Sequence, residues 1–155
     1  MASSVITAVQ ARWAAIFAQA GDPPLYFDFV PQTDGSGDQR RQPYAVLRDQ
    51  TGLSPEYTSD DGAVETGTVV VEVYAVTMAD VDAYVARAKW GGQDPDQRAG
   101  LDWFSLSLTT SPRYPVHLRR TNERRSFTAF DHLGRASHRC DLAYEVLVGV
   151  EGGGY

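Results

Sequence analysis

Four arginines in one short segment are the most distinctive chemical feature of this sequence. Arg119 and Arg120 are separated from Arg124 and Arg125 by only three residues. The pattern predicts two strands around a turn at 121–124, so that four guanidinium groups meet at one hairpin tip. Guanidinium groups bind carboxylates and phosphates through paired hydrogen bonds. The cluster is therefore either a solvated hairpin neutralised by nearby acids or a contact for an acidic surface, which would be another protein copy or a nucleic acid.

Metal-ligating and nucleophilic residue types are also present in the last third of the chain. They are His117, Asp131, His132, His138, Cys140 and Asp141. The close pairs typical of zinc sites, CxxC and HxxxH, are absent from the sequence. His138 and Cys140 share a strand face but stand about 6.6 Å apart, which is too far for a nucleophile and its base. The motifs GxGxxG, GxxxxGK[ST] and GxSxG are missing as well, so we expect no enzyme, no metal site and no cofactor.

Charge is divided unevenly along the chain, whose net charge is −6. Residues 1–102 carry 7 basic and 15 acidic side chains, whereas residues 103–155 carry 7 basic and 5 acidic ones. The net charge argues against general nucleic-acid binding, which depends on neutralising phosphates. An acidic and a basic region could instead form the two sides of a contact between copies. The candidate interface residues are Arg113, Arg119, Arg120, Arg124, Arg125, Asp60, Asp61 and Glu65.

Length and composition predict one globular domain. The chain has 155 residues, of which 43% are hydrophobic, and this length is typical of a single domain. We expect the domain to span 1–150, with 151–155 as a flexible tail. Cys140 is the only cysteine, so no disulfide forms within the chain. The longest uncharged apolar stretch, 66–71, is far too short for a membrane span, and the N-terminal residues do not resemble a secretory signal.

Two helices are predicted to position the candidate residues. The first has apolar residues at three- and four-residue steps and is followed by Gly21 and two prolines. Its predicted inner face consists of Val5, Val9, Trp13, Ile16, Phe17 and Ala20. The second is predicted over 78–90, with Thr77 and Asp80 in a capping arrangement and Gly91 at its end. We expect Asp80, Asp82, Arg87 and Lys89 to point outward from it.

Strands are predicted for most of the remainder. Alternating or β-branched residues indicate strands at 25–30, 43–48, 66–77, 103–110, 114–120, 125–130 and 138–150. Two polar stretches, 31–42 and 49–65, are predicted to be long loops. Mainly sequential strands interrupted by two helices predict an α+β fold. We expect both helices to pack on one face of a mainly antiparallel sheet.

Several short motifs occur in an order that resembles a known family. An amphipathic helix, VITAVQARWAAIF, is followed by the aromatic strand LYFDFVPQ and by the strand QPYAVLRD. The strand GTVVVEVYAVT, the helix MADVDAYVARAK and a final strand ending in LAYEVLVGV complete the series. This order resembles the tail-completion and tail-terminator, or neck, proteins of long-tailed bacteriophages and related prophages.

The resemblance implies a structural role without catalysis. Such proteins form rings, often hexameric, that cap the tail tube or join it to the head. The implied partners are other copies of the chain, the tail tube protein and the head connector or adaptor proteins. Genome DNA would pass through an acidic lumen without specific binding, and no membrane would be involved. The implied location is the virion tail or neck, and the host cytoplasm during assembly.

Two alternatives belong to other functional classes. A small α+β ligand-binding or enzyme domain would need an enclosed pocket with convergent polar groups. A nucleic-acid binder would use the hairpin predicted between Arg119 and Arg125, and its affinity would depend strongly on salt.

Overall fold

The structure, a computed structural model, describes residues 3–31, 42–57, 63–92, 100–102, 105–106, 116–130 and 134–150. In chain order the elements are α1 Ser3–Ile16, β1 Leu25–Phe27, β2 Tyr44–Tyr57, β3 Ala63–Ala75, α2 Met78–Trp90, β4 Ser105–Leu106, β5 Val116–Phe130 and β6 Ala136–Val150. The strands form one sheet in the order β1-β2-β3-β6-β5-β4. β1 and β2 pair in parallel, and the other neighbouring pairs are antiparallel. The predicted α+β fold is confirmed.

One face of the sheet packs against both helices and forms the core. Side chains alternate between the two faces of a strand, so every second residue of β3 and β6 points toward the helices. The core contains, from the helices, Val5, Val9, Trp13, Val81, Val85 and Ala88, and from the sheet, Leu47, Val71, Val73, Leu142, Tyr144 and Val146. We call this the helix side of the sheet. The other face, which carries the intervening residues such as Glu72 and Asp141, is called the open face.

The predicted apolar stripe of α1 is confirmed from Val5 to Phe17 but not at Ala20. Trp13 is 1% exposed, and its indole Nε1 donates a hydrogen bond to the Pro23 carbonyl oxygen over 2.7 Å. The helix ends at Ile16, and Ala20 is exposed. The chain turns away there because Gly21 adopts a left-handed φ of 86°, which glycine tolerates without steric cost.

α2 matches its predicted boundaries and caps. The Thr77 hydroxyl accepts a hydrogen bond from the Asp80 N–H, and Gly91 ends the helix in the left-handed conformation. Lys89 was expected to point outward, but it is 9% exposed. Its ammonium group lies 3.2 Å from Glu123 on β5 and 4.4 Å from the centre of the Trp90 ring. The charge is buried because these partners replace water around it.

The predicted loop at 49–65 is wrong over most of its length. β2 continues to Tyr57 and β3 begins at Ala63, so only 58–62 connect the two strands. The two strands pair along this stretch with two register irregularities, at Asp49/Thr51 and Thr51/Ser54. Polar residues form strand here because the neighbouring strand satisfies their backbone N–H and C=O groups. The predicted strand at 25–30 is shorter than expected, since Asp28 adopts a φ of 66° and ends the extended conformation.

An ion pair joins the end of α1 to α2, and we expect it to make stability depend on pH. Arg87 donates hydrogen bonds to both carboxylate oxygens of Asp22, over 2.9 and 3.0 Å, and to the Ile16 carbonyl oxygen over 3.2 Å. The hydrogen bonds from Arg87 lower the pKa of Asp22 below its ordinary value of 3.8. A lowered carboxylate pKa stabilises the fold above the unfolded-state value, and that contribution is lost as the pH falls through the folded-state value.

Asp22→Asn should therefore reduce the free energy of unfolding by about 1–2 kcal/mol at pH 7. The difference from the unsubstituted protein should vanish in acid, once Asp22 itself is protonated. Urea unfolding at a series of pH values measures both quantities. An equal loss at pH 7 and at the acid end would contradict the assignment.

Candidate functional site

The four clustered arginines lie on one strand, and the hairpin predicted between them is absent. β5 runs without a turn from Val116 to Phe130, and a register shift between Arg120 and Asn122 marks a bulge. A bulge adds one residue to a strand and changes which residues share a face. Opposite β6 the register pairs are Arg119↔Glu145, Arg120↔Tyr144, Arg124↔Asp141 and Arg125↔Cys140. The strand thus separates the arginines, with Arg120 and Arg125 on the helix side and Arg119 and Arg124 on the open face.

On the helix side, Arg120 belongs to a buried polar cluster. Its Nε lies 3.0 Å from a carboxylate oxygen of Asp102, whose side chain is 8% exposed. The Tyr144 hydroxyl donates to the other Asp102 oxygen over 2.7 Å, and burial raises the pKa of Tyr144 well above its ordinary value. Each member of the cluster has a partner of complementary chemistry. These contacts stabilise the fold, and Arg120 is therefore not available to an external ligand.

A close backbone approach positions Asp102. The Leu101 and Asp102 N–H groups donate to the Ala88 and Lys89 carbonyl oxygens at the end of α2, over 2.8 and 3.0 Å. A Cβ atom at Gly100 would lie 2.3 Å from the Lys89 backbone. Only glycine permits this approach. The segment 100–102 thereby carries Asp102 against β5.

Arg125 is neutralised by α2. Its Nε donates to Asp82 over 2.6 Å, and the bond raises the pKa of the guanidinium group. Glu123 lies between Arg125 and the buried Lys89, 3.7 and 3.2 Å from their nitrogens. Two of the four arginines are therefore occupied by contacts that join β5 to other elements of the same chain.

The open face carries a ladder of ion pairs across neighbouring strands. Arg48 on β2 donates to Glu72 on β3 over 2.6 Å. Arg139 on β6 lies 3.0 Å from Asp141 and 3.7 Å from Glu72. Desolvation raises the pKa of Asp141. Arg119 similarly pairs with Glu145 on β6.

Arg124 is the exception on this face. It is exposed and makes no hydrogen bond with another described residue, but its charge faces Asp141 on β6 and partly offsets the rise in the pKa of that carboxyl that desolvation causes. It borders a groove of about 380 Å³ on the open face. The groove is lined by Arg48, Asp49, Gln50, Val70, Glu72, Asn122, Arg124, Asp141 and Ala143. Val70 and Ala143 are register partners and the two apolar residues of this lining, whereas five of the other residues are charged.

An exposed aromatic side chain lies beside the β1 edge of the same sheet. Phe29 is 71% exposed and is the large hydrophobic residue that the described chain leaves in solvent. It follows Asp28, whose φ of 66° is unusual for a residue other than glycine. The Asp28 N–H donates to the Leu47 carbonyl oxygen, and Arg48 donates to the Asp28 carbonyl oxygen over 2.8 Å. This left-handed conformation, which aspartate tolerates better than most residues, is thus held against β2 by both hydrogen bonds.

The other predicted interface residues are outside the described side chains. Arg113, Asp60 and Asp61 lie outside the described residues. Glu65 lies in β3 opposite Pro55 and Val148, and its side chain is not described.

The candidates for metal binding and nucleophilic chemistry show no converging site in the described part of the chain. No group of three or more His, Cys, Asp or Glu side chains there could hold a metal ion. Cys140 is fully buried on the helix side, and burial raises the pKa of its thiol to about 11. Neither described helix is long and apolar enough to cross a membrane.

Sequence reasoning missed the open-face groove and Phe29. Arg48, Glu72 and Arg139 are distant in sequence, and only the sheet order places them next to one another. The alternation in β3, which places Glu72 between Val71 and Val73, is the available signal. Phe29 was assigned to a strand because aromatic residues favour strands.

Comparison with known proteins identifies the fold. The sequence matches no model of a known protein family and no curated protein. Its structure is similar to a chain of the "Virion of native gene transfer agent (GTA) particle", with a TM-score of 0.55. The superposition covers 96% of this chain and 100% of that chain, at 18% sequence identity. The same fold is therefore present in a component of a virion-like particle.

Proposed function

We propose that this chain is a structural subunit of a phage-like particle, and specifically a ring-forming tail-terminator or tail-completion subunit at the head–tail junction. The observation that carries the proposal is the fold similarity over essentially the whole of both chains to a component of a virion particle. The element order found in the structure is also the order that led to the resemblance to tail-terminator proteins. The proposed partners are further copies of the chain, a tail tube protein and a head connector protein.

The distribution of charge supports assembly through two different surfaces. In the sheet, β1, β2 and β3 come from the acidic part of the chain and form one half of the strand order. The other half consists of β6, β5 and β4, which come from the basic part. A contact between unlike surfaces repeats from copy to copy and closes into a ring when the rotation permits. Asp60, Asp61, Glu65 and Arg113 remain proposed members of that contact.

The nucleic-acid alternative loses its structural basis. It required four guanidinium groups at a hairpin tip, whereas β5 is continuous and Arg119, Arg120 and Arg125 each pair with a carboxylate of the same chain. Phosphate binding at these positions would have to break those pairs.

The purified chain should form a closed oligomer of defined size. Six copies of the 17.0 kDa chain would have a mass of about 102 kDa, which native mass spectrometry resolves from other ring sizes. Negative-stain microscopy should then show rings, alone or at one end of purified tail tubes. A chain that remains monomeric at high concentration and binds neither tubes nor a connector would contradict the proposed function.

A further inference from the structure

We draw no further inference here: the strongest candidate, the groove of about 380 Å³ on the open face of the sheet, is lined by three carboxylates and two guanidinium groups of the same chain, and nothing in the structure shows what covers it.

Discussion

Asp102→Ala is expected to lower the free energy of unfolding by about 3–5 kcal/mol, since removal of one partner from a buried ion pair leaves the other charge uncompensated. Asp102 accepts hydrogen bonds from both Arg120 and the Tyr144 hydroxyl, and its side chain is 8% exposed. Without the carboxylate, a partly buried guanidinium group and a fully buried phenol hydroxyl both lose their partner. Urea unfolding followed by circular dichroism measures the change.

Asp82→Ala is the matched control for that prediction. It removes another aspartate–arginine pair, between Asp82 and Arg125, whose side chains are 52% and 40% exposed. Exposed pairs contribute at most about 1 kcal/mol. The combined replacement of Asp102 and Arg120 by leucine and methionine should recover part of the loss, because neither charge of this pair then remains, while the Tyr144 hydroxyl still lacks its acceptor. Equal losses for Asp102→Ala and Asp82→Ala would show that burial of the cluster has no energetic effect.

Trp13→Ala is the second large effect, with an expected loss of about 3–5 kcal/mol of unfolding free energy. Trp13 is 1% exposed, and its ring centre lies 4.4 Å from that of Phe17. Alanine would leave a cavity between α1 and the sheet and would also remove the hydrogen bond to the Pro23 carbonyl oxygen. The midpoint of urea unfolding should therefore be clearly lower for Trp13→Ala than for the unsubstituted protein.

Two substitutions separate the contributions of Trp13. Trp13→Phe keeps most of the apolar volume but leaves the Pro23 carbonyl oxygen without its donor, and should cost about 1–3 kcal/mol. Phe29→Ala removes an aromatic ring of similar chemistry from the surface and should change stability by less than about 0.5 kcal/mol. If Trp13→Ala were no more destabilising than Phe29→Ala, the placement of α1 against the sheet would be wrong.

The buried polar cluster of Asp102, Arg120 and Tyr144 also determines which variants can test assembly. If the arginine cluster lay on the surface, the variant to test for assembly would reverse the charge of both Arg119 and Arg120. Arg120, however, is bonded to Asp102, so its reversal would place two carboxylates together inside the fold. Loss of assembly would then follow from unfolding. Arg124 allows a cleaner experiment because it is exposed and makes no hydrogen bond with another described residue.

The regular elements were predictable where one physical pattern dominated. α2 has an amphipathic period, a capping threonine and a terminal glycine. Its predicted range, 78–90, is the range found in the structure. The strand predicted at 138–150 is confirmed as β6, and its alternate residues from Cys140 to Val148 are buried. The polar residues of β2 and β5 were instead assigned to loops or a turn. Their strand conformation depends on hydrogen bonds and ion pairs with neighbouring strands, which are not visible in a local pattern.

The arginine cluster shows the same contrast between a local sequence pattern and contacts made in the tertiary structure. Sequence reasoning correctly identified Arg119, Arg120, Arg124 and Arg125 as an unusual concentration of charge. It could not assign partners, because Asp82, Asp102 and Glu145 lie 18 to 43 positions away. The bulge and the docking of α2 determine which guanidinium groups are neutralised. In that arrangement Arg124 faces Asp141 across the two strands without a hydrogen bond to it.

The sequence alone determined the α+β class, the two helices and the inward faces of the central strands, because these follow from local periodicity and capping chemistry. It also determined that charge is divided between two parts of the chain. Only the tertiary structure decided that these parts form the two halves of one sheet, and that Arg119, Arg120 and Arg125 are paired with carboxylates of the same chain. The physical reason is that ion pairing and burial depend on strand order and register, which bring together residues that are distant in sequence.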